Sequence, residues 1–253
     1  MPFEQPQFEK SPEIKLEKTR VEQLERKEIK SIEKLPLNCQ DRIDTILLYL
    51  KEKPAAFVEA SRRIYKGKDE KEIQAVNQLT QEKHQIQETL EKLKFAYQAK
   101  EFKKEEERTR NLGHYFFIGR DSEKLGRLLE AMENKDDKEI GLALGYPESA
   151  CEAFVNKATI DYSELPKEER KKIFKEGTLK FIDFRLSRDH WQEELGLARR
   201  WQQLINEKSP NLYEEAVTEG TKDIKRVTGL GKKFQHLLNR VEYYKKGFKK
   251  EKL

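Results

Sequence analysis

Cysteines and long apolar runs are both scarce in this 253-residue sequence. The two cysteines, Cys39 and Cys151, lie far apart, which excludes a disulfide framework and the paired spacing of a zinc site. No stretch approaches the roughly 20 apolar residues of a membrane span, and residues 1–31 hold no apolar segment typical of a secretion signal. We therefore expect a cytoplasmic protein without membrane contact, and the sequence indicates no metal and no cofactor.

Hydrophobic residues are also few, at 36% of the chain, whereas charged residues reach 39%. Because the two signs are interspersed, this composition favours solvated helices around a thin core. The net charge of +5 is unevenly distributed. From Thr221 onward, 11 lysines and arginines stand against 3 acidic residues, a net charge of +8, so the first 220 residues carry −3. The basic end indicates an anionic partner, although such runs are often only solvated surface.

The spacing of apolar and capping residues predicts a mainly α protein. We expect a multi-helix domain with at most two short strands, a long amphipathic helix and a C-terminal helical hairpin. Four regions follow one another: a charged, partly disordered arm (1–35), a helical region (36–110), a central domain (111–210) and a basic tail (211–253).

Local signals refine this outline. Asp41 is expected to cap a helix, and a further helix is predicted over residues 55–65. The aromatic run over 114–118 and the alternation over 180–186 are typical of short strands.

The longest uninterrupted segment, 69–110, carries apolar residues spaced alternately three and four apart. The seam consists of Val76, Leu79, Lys83, Ile86, Leu90, Leu93 and Tyr97. Lys83 interrupts it, and it runs for fewer than about four heptads. The pattern is therefore consistent with an amphipathic helix packed in its own domain. It is also consistent with a coiled coil, in which Val76 to Tyr97 would contact either a second copy of this chain, giving a homodimer, or a different protein partner.

Residues 140–154 have the pattern of a helix, a sharp turn and a second helix. Gly145 provides the positive φ that the first helix needs at its exit, and Pro147 suits the start of the next helix. Four side chains would face inward: Ile140, Leu144, Cys151 and Phe154. A DNA-reading helix-turn-helix has similar spacing, but Glu148 and Glu152 would repel phosphates on its recognition helix.

The stretch from His114 to Phe154, with Phe-Ile-Gly-Arg-Asp followed by Leu-Gly-Tyr-Pro, resembles an uncharacterised, largely archaeal prokaryotic domain family. That family is marked by Leu-Gly-Tyr-Pro-x-Cys-Cys-x-x-x-Phe. The resemblance covers about residues 111–205 and implies a structural role for the motif residues, which here are Gly145, Tyr146, Pro147, Cys151 and Phe154.

The resemblance also implies a second pair of cysteines, spaced Cys-Ser-x-x-Cys, ahead of a later helix. In this chain, Ser149 and Ala150 stand at the first pair of positions, and Leu186 and His190 stand at the second. Four converging thiols in the relatives would indicate a metal or redox site. Because this chain lacks them, we expect a degenerate member kept for its shape or for binding.

The C-terminal segment from Ile224 to Leu238 resembles a helix-hairpin-helix, a nucleic-acid-binding element built on an apolar residue between two glycines. Gly229 and Gly231 would let the backbone approach a phosphate. The positive charge would come from Lys225, Arg226, Lys232 and Lys233. Phe234 stands where a small alanine is usual, so a glycine-capped helix followed by a basic surface helix is an equal alternative.

No arrangement of nucleophile, base and acid stands out, and we predict no catalytic residue. Ser187, Asp189 and His190 have the identities of a triad, but residues so close in sequence rarely face one another. The sequence thus predicts a non-enzymatic intracellular protein that binds nucleic acid through its basic tail. The alternatives are a degenerate metal or redox enzyme and a protein-interaction scaffold that uses the long helix.

Overall fold

A computed structural model describes residues 12–65 and 69–226. Within these ranges the helices are α1 (Pro12–Glu33), α2 (Cys39–Tyr49), α3 (Asp69–Lys92), α4 (Ser122–Asn134), α5 (Asp137–Ala143), α6 (Glu148–Val155), α7 (Lys167–Glu176), α8 (Trp191–Lys208) and α9 (Pro210–Arg226). The strands are β1 (Ala55–Tyr65), β2 (Ala96–Glu105), β3 (Thr109–Gly119), β4 (Thr159–Ile160) and β5 (Leu186–Ser187). Short 3-10 turns lie at Tyr162–Glu164 and Thr178–Phe181.

A three-stranded antiparallel sheet with the order β1–β3–β2 forms the centre of the fold. Because β1 and β2 pair with opposite edges of β3, α3 connects two strands that run parallel on either side of it. β4 and β5 form a separate two-stranded ladder. The expectation of a mainly α, all-helical protein with at most two short strands is therefore wrong, and the chain is an α/β protein.

The segment 55–65, predicted to be a helix, forms strand β1. Val58 pairs with Phe116 on one face of the sheet, and Phe57 pairs with Phe117 on the other. The alanines and charged residues of this segment tolerate a helix locally. The extended form prevails because helices cover both faces of the strand, and such burial overrides weak local propensity.

The predicted long amphipathic segment divides into α3 and β2. Lys94 adopts a left-handed conformation with φ of 59° and turns the chain from the helix into the strand. Ile86 and Leu90 of the predicted seam are buried in the chain's own core, whereas Ile73 and Val76 near the start of α3 are exposed. Most of the seam therefore stabilises this chain internally.

Asn38, rather than Asp41, caps α2. The side-chain oxygen of Asn38 accepts a hydrogen bond from the backbone N–H of Asp41 at 2.9 Å. The carboxylate of Asp41 accepts instead from the backbone N–H of Glu59 in β1, at 2.8 Å. A strand amide that faces away from its ladder needs an acceptor, and Asp41 thereby ties α2 to the edge of the sheet.

Helices cover both faces of the sheet. The larger hydrophobic cluster joins one face to α2, α3, α8 and the end of α1, with members that include Ile32, Ile43, Val58, Ile86, Phe116 and Trp201. The smaller cluster joins the other face to α4 and α5, with members that include Phe57, Tyr115, Phe117, Leu128 and Ile140. In the part of the chain that the structure describes, no helix is both long and apolar enough to cross a membrane.

Gly113 in β3 lies under the aromatic ring of Phe102, where a side chain has no room. A Cβ at Gly113 would stand 2.8 Å from that ring and too close to the carbonyl oxygen of Ala60. We expect Gly113→Ala to lower the free energy of unfolding by about 1–3 kcal/mol, measured by denaturant titration. The control is Gly196→Ala on the exposed side of α8, where a Cβ meets no atom within 4 Å. For this change we expect the free energy of unfolding to rise by about 0.5–1 kcal/mol. Equal effects of the two changes would contradict this account.

Candidate functional site

A cavity of about 120 Å³ lies between α2, the start of β1, the corner of α5 and α6, and residues 183–185. Its walls are largely apolar and include Ala56, Phe57, Ile140, Leu144, Tyr146, Ala150, Phe154 and Phe184. Six charged residues also line it, namely Asp41, Asp44, Lys53, Asp137, Asp183 and Arg185. An apolar pocket with a few convergent polar groups is the usual form of a small-molecule site.

The ammonium group of Lys53 is at the centre of these charges and is 1% exposed. Its Nζ lies 2.5 Å from Asp44 Oδ1 and 3.2 Å from Asp183 Oδ2. The rings of Tyr146 and Trp201 lie 5.2 Å and 5.1 Å from the same nitrogen, within cation–π range. Burial disfavours the ammonium, but the two carboxylates outweigh that effect and raise the pKa of Lys53. Lys53 is therefore a permanent buried cation at neutral pH.

Asp44 is the group in this network that can exchange a proton near neutral pH. Burial, followed by repulsion from Asp183, raises its pKa from 3.8 to about 7, against the opposing effect of Lys53. Its carboxyl group reaches the network from α2, where Asp44 occupies a position on the buried face. A carboxyl group titrating near pH 7 beside a cavity is a recognised mark of a functional site.

Tyr146 links the Gly-Tyr-Pro turn to this network. Its hydroxyl donates a hydrogen bond to Asp183 Oδ2 at 2.8 Å. Burial and the neighbouring carboxylates raise the pKa of Tyr146 well above 10.0, so the hydroxyl stays a neutral donor. Gly145 has a φ of 83°, and a Cβ there would stand 2.7 Å from Pro54. The turn therefore requires glycine both for its conformation and for its contact with the Lys53–Pro54 segment.

The other motif residues pack around the same corner. Pro147 precedes the first residue of α6, as the sequence indicates, and Phe154 is half-buried in the cavity wall. Cys151 is buried, with its sulfur 4.0 Å from the backbone oxygen of Tyr146. Burial raises the pKa of the Cys151 thiol to about 11 and that of Cys39 to about 12. Neither thiol is an activated nucleophile, since reactivity requires the thiolate.

The positions that the resemblance assigns to cysteine pairs lie near one another. Ser149 Oγ donates to Glu194 Oε1 at 2.6 Å, and the backbone N–H of Ser187 donates to Glu194 Oε2 at 2.7 Å. The backbone N–H of His190 donates to Ser187 Oγ at 2.8 Å. Glu194 is almost fully buried. The carboxylate of Glu194 thus joins α6, through Ser149, to the segment around β5, through the backbone of Ser187. Ala150 and Cys151 lie on the cavity side of α6.

Across 12–65 and 69–226, no set of three or more histidine, cysteine or acidic side chains is placed to hold a metal ion.

The predicted nucleic-acid contacts fall mostly outside the described residues. Lys225 and Arg226 are the last two residues of α9. Four further predicted contacts lie beyond the part of the chain that the structure describes: Gly229, Gly231, Lys232 and Lys233.

Sequence reasoning missed Lys53, Asp44 and Asp183, which come from three separate segments. One signal was present, because Asp44 interrupts the apolar face that Ile43, Ile46 and Leu47 form on α2. A charged residue in such a position is rarely buried without a partner. The partner itself could not be identified from the sequence.

Comparison of the chain with models of known protein families, with curated proteins and with solved structures finds no match. The fold and the cavity define an α/β protein with a buried Asp–Lys–Asp network beside a small pocket. The family resemblance stays a prediction.

The raised pKa of Asp44 predicts how the stability of the folded chain depends on pH. Because its pKa is higher in the folded chain than its ordinary value of 3.8, the folded chain binds more protons between that value and about 7. The contribution of Asp44 to stability is complete below pH 3.8 and is lost as the pH rises through about 7. Asp44→Asn should remove this loss, on the order of a few kcal/mol between about pH 5 and pH 8.

The measurement is the free energy of unfolding as a function of pH, for the unmodified chain and for Asp44→Asn. Asp189→Asn is the control, since Asp189 is exposed. A curve for Asp44→Asn parallel to that of the unmodified chain would show that Asp44 does not titrate as described.

Proposed function

We propose that this protein binds a small polar molecule in the cavity lined by Asp44, Lys53, Tyr146 and Asp183. The observation that carries the proposal is the burial of a Lys53 ion network directly at the wall of an apolar pocket. Buried ion pairs are weak stabilisers, because desolvation offsets most of their attraction. Apolar residues would hold α2 and β1 together at least as well, so the network favours a binding role.

The size of the cavity limits the ligand. An engineered apolar cavity of about 150 Å³ binds benzene, and the cavity here is about 120 Å³. It therefore suits a molecule with a body close to a benzene ring in size. The apolar walls would hold that body, and the charged groups on α2 and at residue 183 would hold its polar end.

The chemistry of the side chains favours binding over covalent catalysis. Lys53 is held as an ammonium by two carboxylates, so it offers no free amine for attack on a carbonyl group. Cys151, the thiol at the cavity, has a pKa raised to about 11. Within the described residues, Asp44 is the lining group whose pKa lies near neutrality, and it can exchange a proton with a bound molecule.

Filling the cavity should abolish binding. Ala150 lines it from α6, and Ala150→Leu places additional carbon atoms in its space. We expect Ala150→Leu to abolish the binding of small fragment molecules that bind the unmodified chain. Ligand-observed NMR detects this binding. Ala153→Leu is the matched control, because Ala153 is a buried alanine on the same helix that is not part of the cavity wall. Binding that survives in Ala150→Leu, or the absence of any binding fragment, would refute the cavity as the site.

A second function, nucleic-acid binding by the basic C-terminal residues, is favoured by the net charge of +8 from Thr221 onward. α9 is anchored in the core by Leu212 and Ala216 and runs to Arg226, so the basic segment begins at the end of a packed helix. The glycines at 229 and 231 and the lysines that follow them are the proposed phosphate contacts.

The basic segment predicts salt-dependent binding of nucleic acid. The double change Lys232→Ala/Lys233→Ala should weaken binding of short duplexes and reduce the slope of log affinity against log salt by about 2, one unit for each lost phosphate contact. Fluorescence anisotropy across salt concentrations measures both. Lys171→Ala/Lys172→Ala, an adjacent exposed pair on α7, is the matched control. A slope that the tail variant leaves unchanged would exclude these lysines, and retained affinity after Gly229→Leu/Gly231→Leu would exclude the hairpin.

A further inference from the structure

The buried network beside the cavity carries an unbalanced negative charge. Asp44 and Asp183 share the single ammonium of Lys53, so the three groups together carry one net negative charge when both carboxyl groups are ionised. An isolated buried charge is costly, and it is neutralised by a proton or by a counter-charge. The cavity is the space in which such a counter-charge can be placed.

The carboxylate of Asp44 can accept a hydrogen bond from such a counter-charge. Its side chain is more than nine-tenths buried, at 8% exposed, and its Oδ1 accepts from Lys53. Its other oxygen, Oδ2, accepts no hydrogen bond from any described part of the chain, although Asp44 is part of the cavity wall. This oxygen can therefore accept a hydrogen bond from a donor that is placed in the cavity.

We infer that the ligand of this cavity is a small amine, bound as an ammonium ion by Asp44 with its apolar body against the surrounding walls. The inference rests on the proposed small-molecule function and names its ligand class. Aromatic rings line the cavity at Phe57, Tyr146, Phe154 and Phe184, and such rings attract cations through their faces.

The other charged residues on the cavity wall also favour a cationic ligand. Asp41 and Asp137 add two carboxylates, while Arg185 adds one cation, which lies 3.8 Å from Asp161. Among the charged residues that line the cavity, four carry carboxylates and two carry cations. Such a lining suits an ammonium ion better than an anionic ligand.

Protonation of Asp44 and binding of an ammonium ion neutralise the same charge, so they exclude each other. The groups that act on Asp44 are Lys53 from the loop before β1, Asp183 from the segment after α7, and Asp41 one turn earlier on α2. The hydroxyl of Tyr146, from the corner of α5 and α6, donates a hydrogen bond to Asp183 and stays protonated. Affinity for an amine should therefore rise with pH up to about 7 and level off above it.

Three probes of similar size test the inference on the full chain: benzylamine, benzyl alcohol and benzoate. At about pH 8, where Asp44 is ionised, we expect benzylamine to bind about tenfold more tightly than benzyl alcohol, because a charge-assisted hydrogen bond is roughly twice as strong as a neutral one. Benzoate should bind least tightly. Isothermal titration calorimetry or chemical-shift titration gives the three dissociation constants.

Two further measurements separate the outcomes. Asp44→Asn should remove the preference for benzylamine over benzyl alcohol, and the affinity of the unmodified chain for benzylamine should fall below about pH 7 by up to tenfold per pH unit. This second readout needs no variant. If benzyl alcohol or benzoate binds as tightly as benzylamine, the amine class is wrong while the cavity remains a binding site. If none of the three binds, the small-molecule function fails together with this inference.

Discussion

The ammonium ion of Lys53, enclosed by Asp44 and Asp183, is the interaction on which the arrangement of this molecule depends. A charge taken fully out of water must meet opposite charges in good geometry, or folding loses several kcal/mol. The groups that meet this requirement come from α2, from the loop before β1 and from the segment after α7, and Tyr146 is added from the corner of α5 and α6. The network consequently fixes the relative positions of elements that are distant in sequence, and the cavity lies where they meet.

The Gly-Tyr-Pro turn places Tyr146 in this network. Gly145 is needed for a left-handed backbone that passes close to Pro54, and this turn presents Tyr146 to Asp183. On the far side of α6, a hydrogen bond joins Glu194 to Ser149, which stands at one of the positions where the family resemblance predicts cysteine. Hydrogen bonds to a buried carboxylate there hold α6 against the segment around β5. The two faces of one short helix thus serve different purposes, one facing the cavity and the other maintaining the packing.

Local chemistry accounts for several features of the fold. Asp121 caps α4 through its side chain, and Gly177 ends α7 in a left-handed conformation. The aromatic run over 114–118 forms the centre of β3. Each of these depends on a few neighbouring residues, because caps, glycine turns and dense β-branched or aromatic runs act through the nearest backbone. The same local logic was wrong for residues 55–65, which form β1 rather than a helix, and for the division of 69–110 into α3 and β2.

The sequence by itself determined the turn at Gly145, the helix boundaries with clear caps and the basic charge of the C-terminal end, since these are properties of adjacent residues. Only the tertiary structure decided that β1 is a strand, since its two faces are stabilised by helices from elsewhere in the chain. It also decided the site, because Asp44, Lys53 and Asp183 are ordinary charged residues until folding removes them from water. Burial and pairing, which arise from long-range contacts, convert them into one buried network.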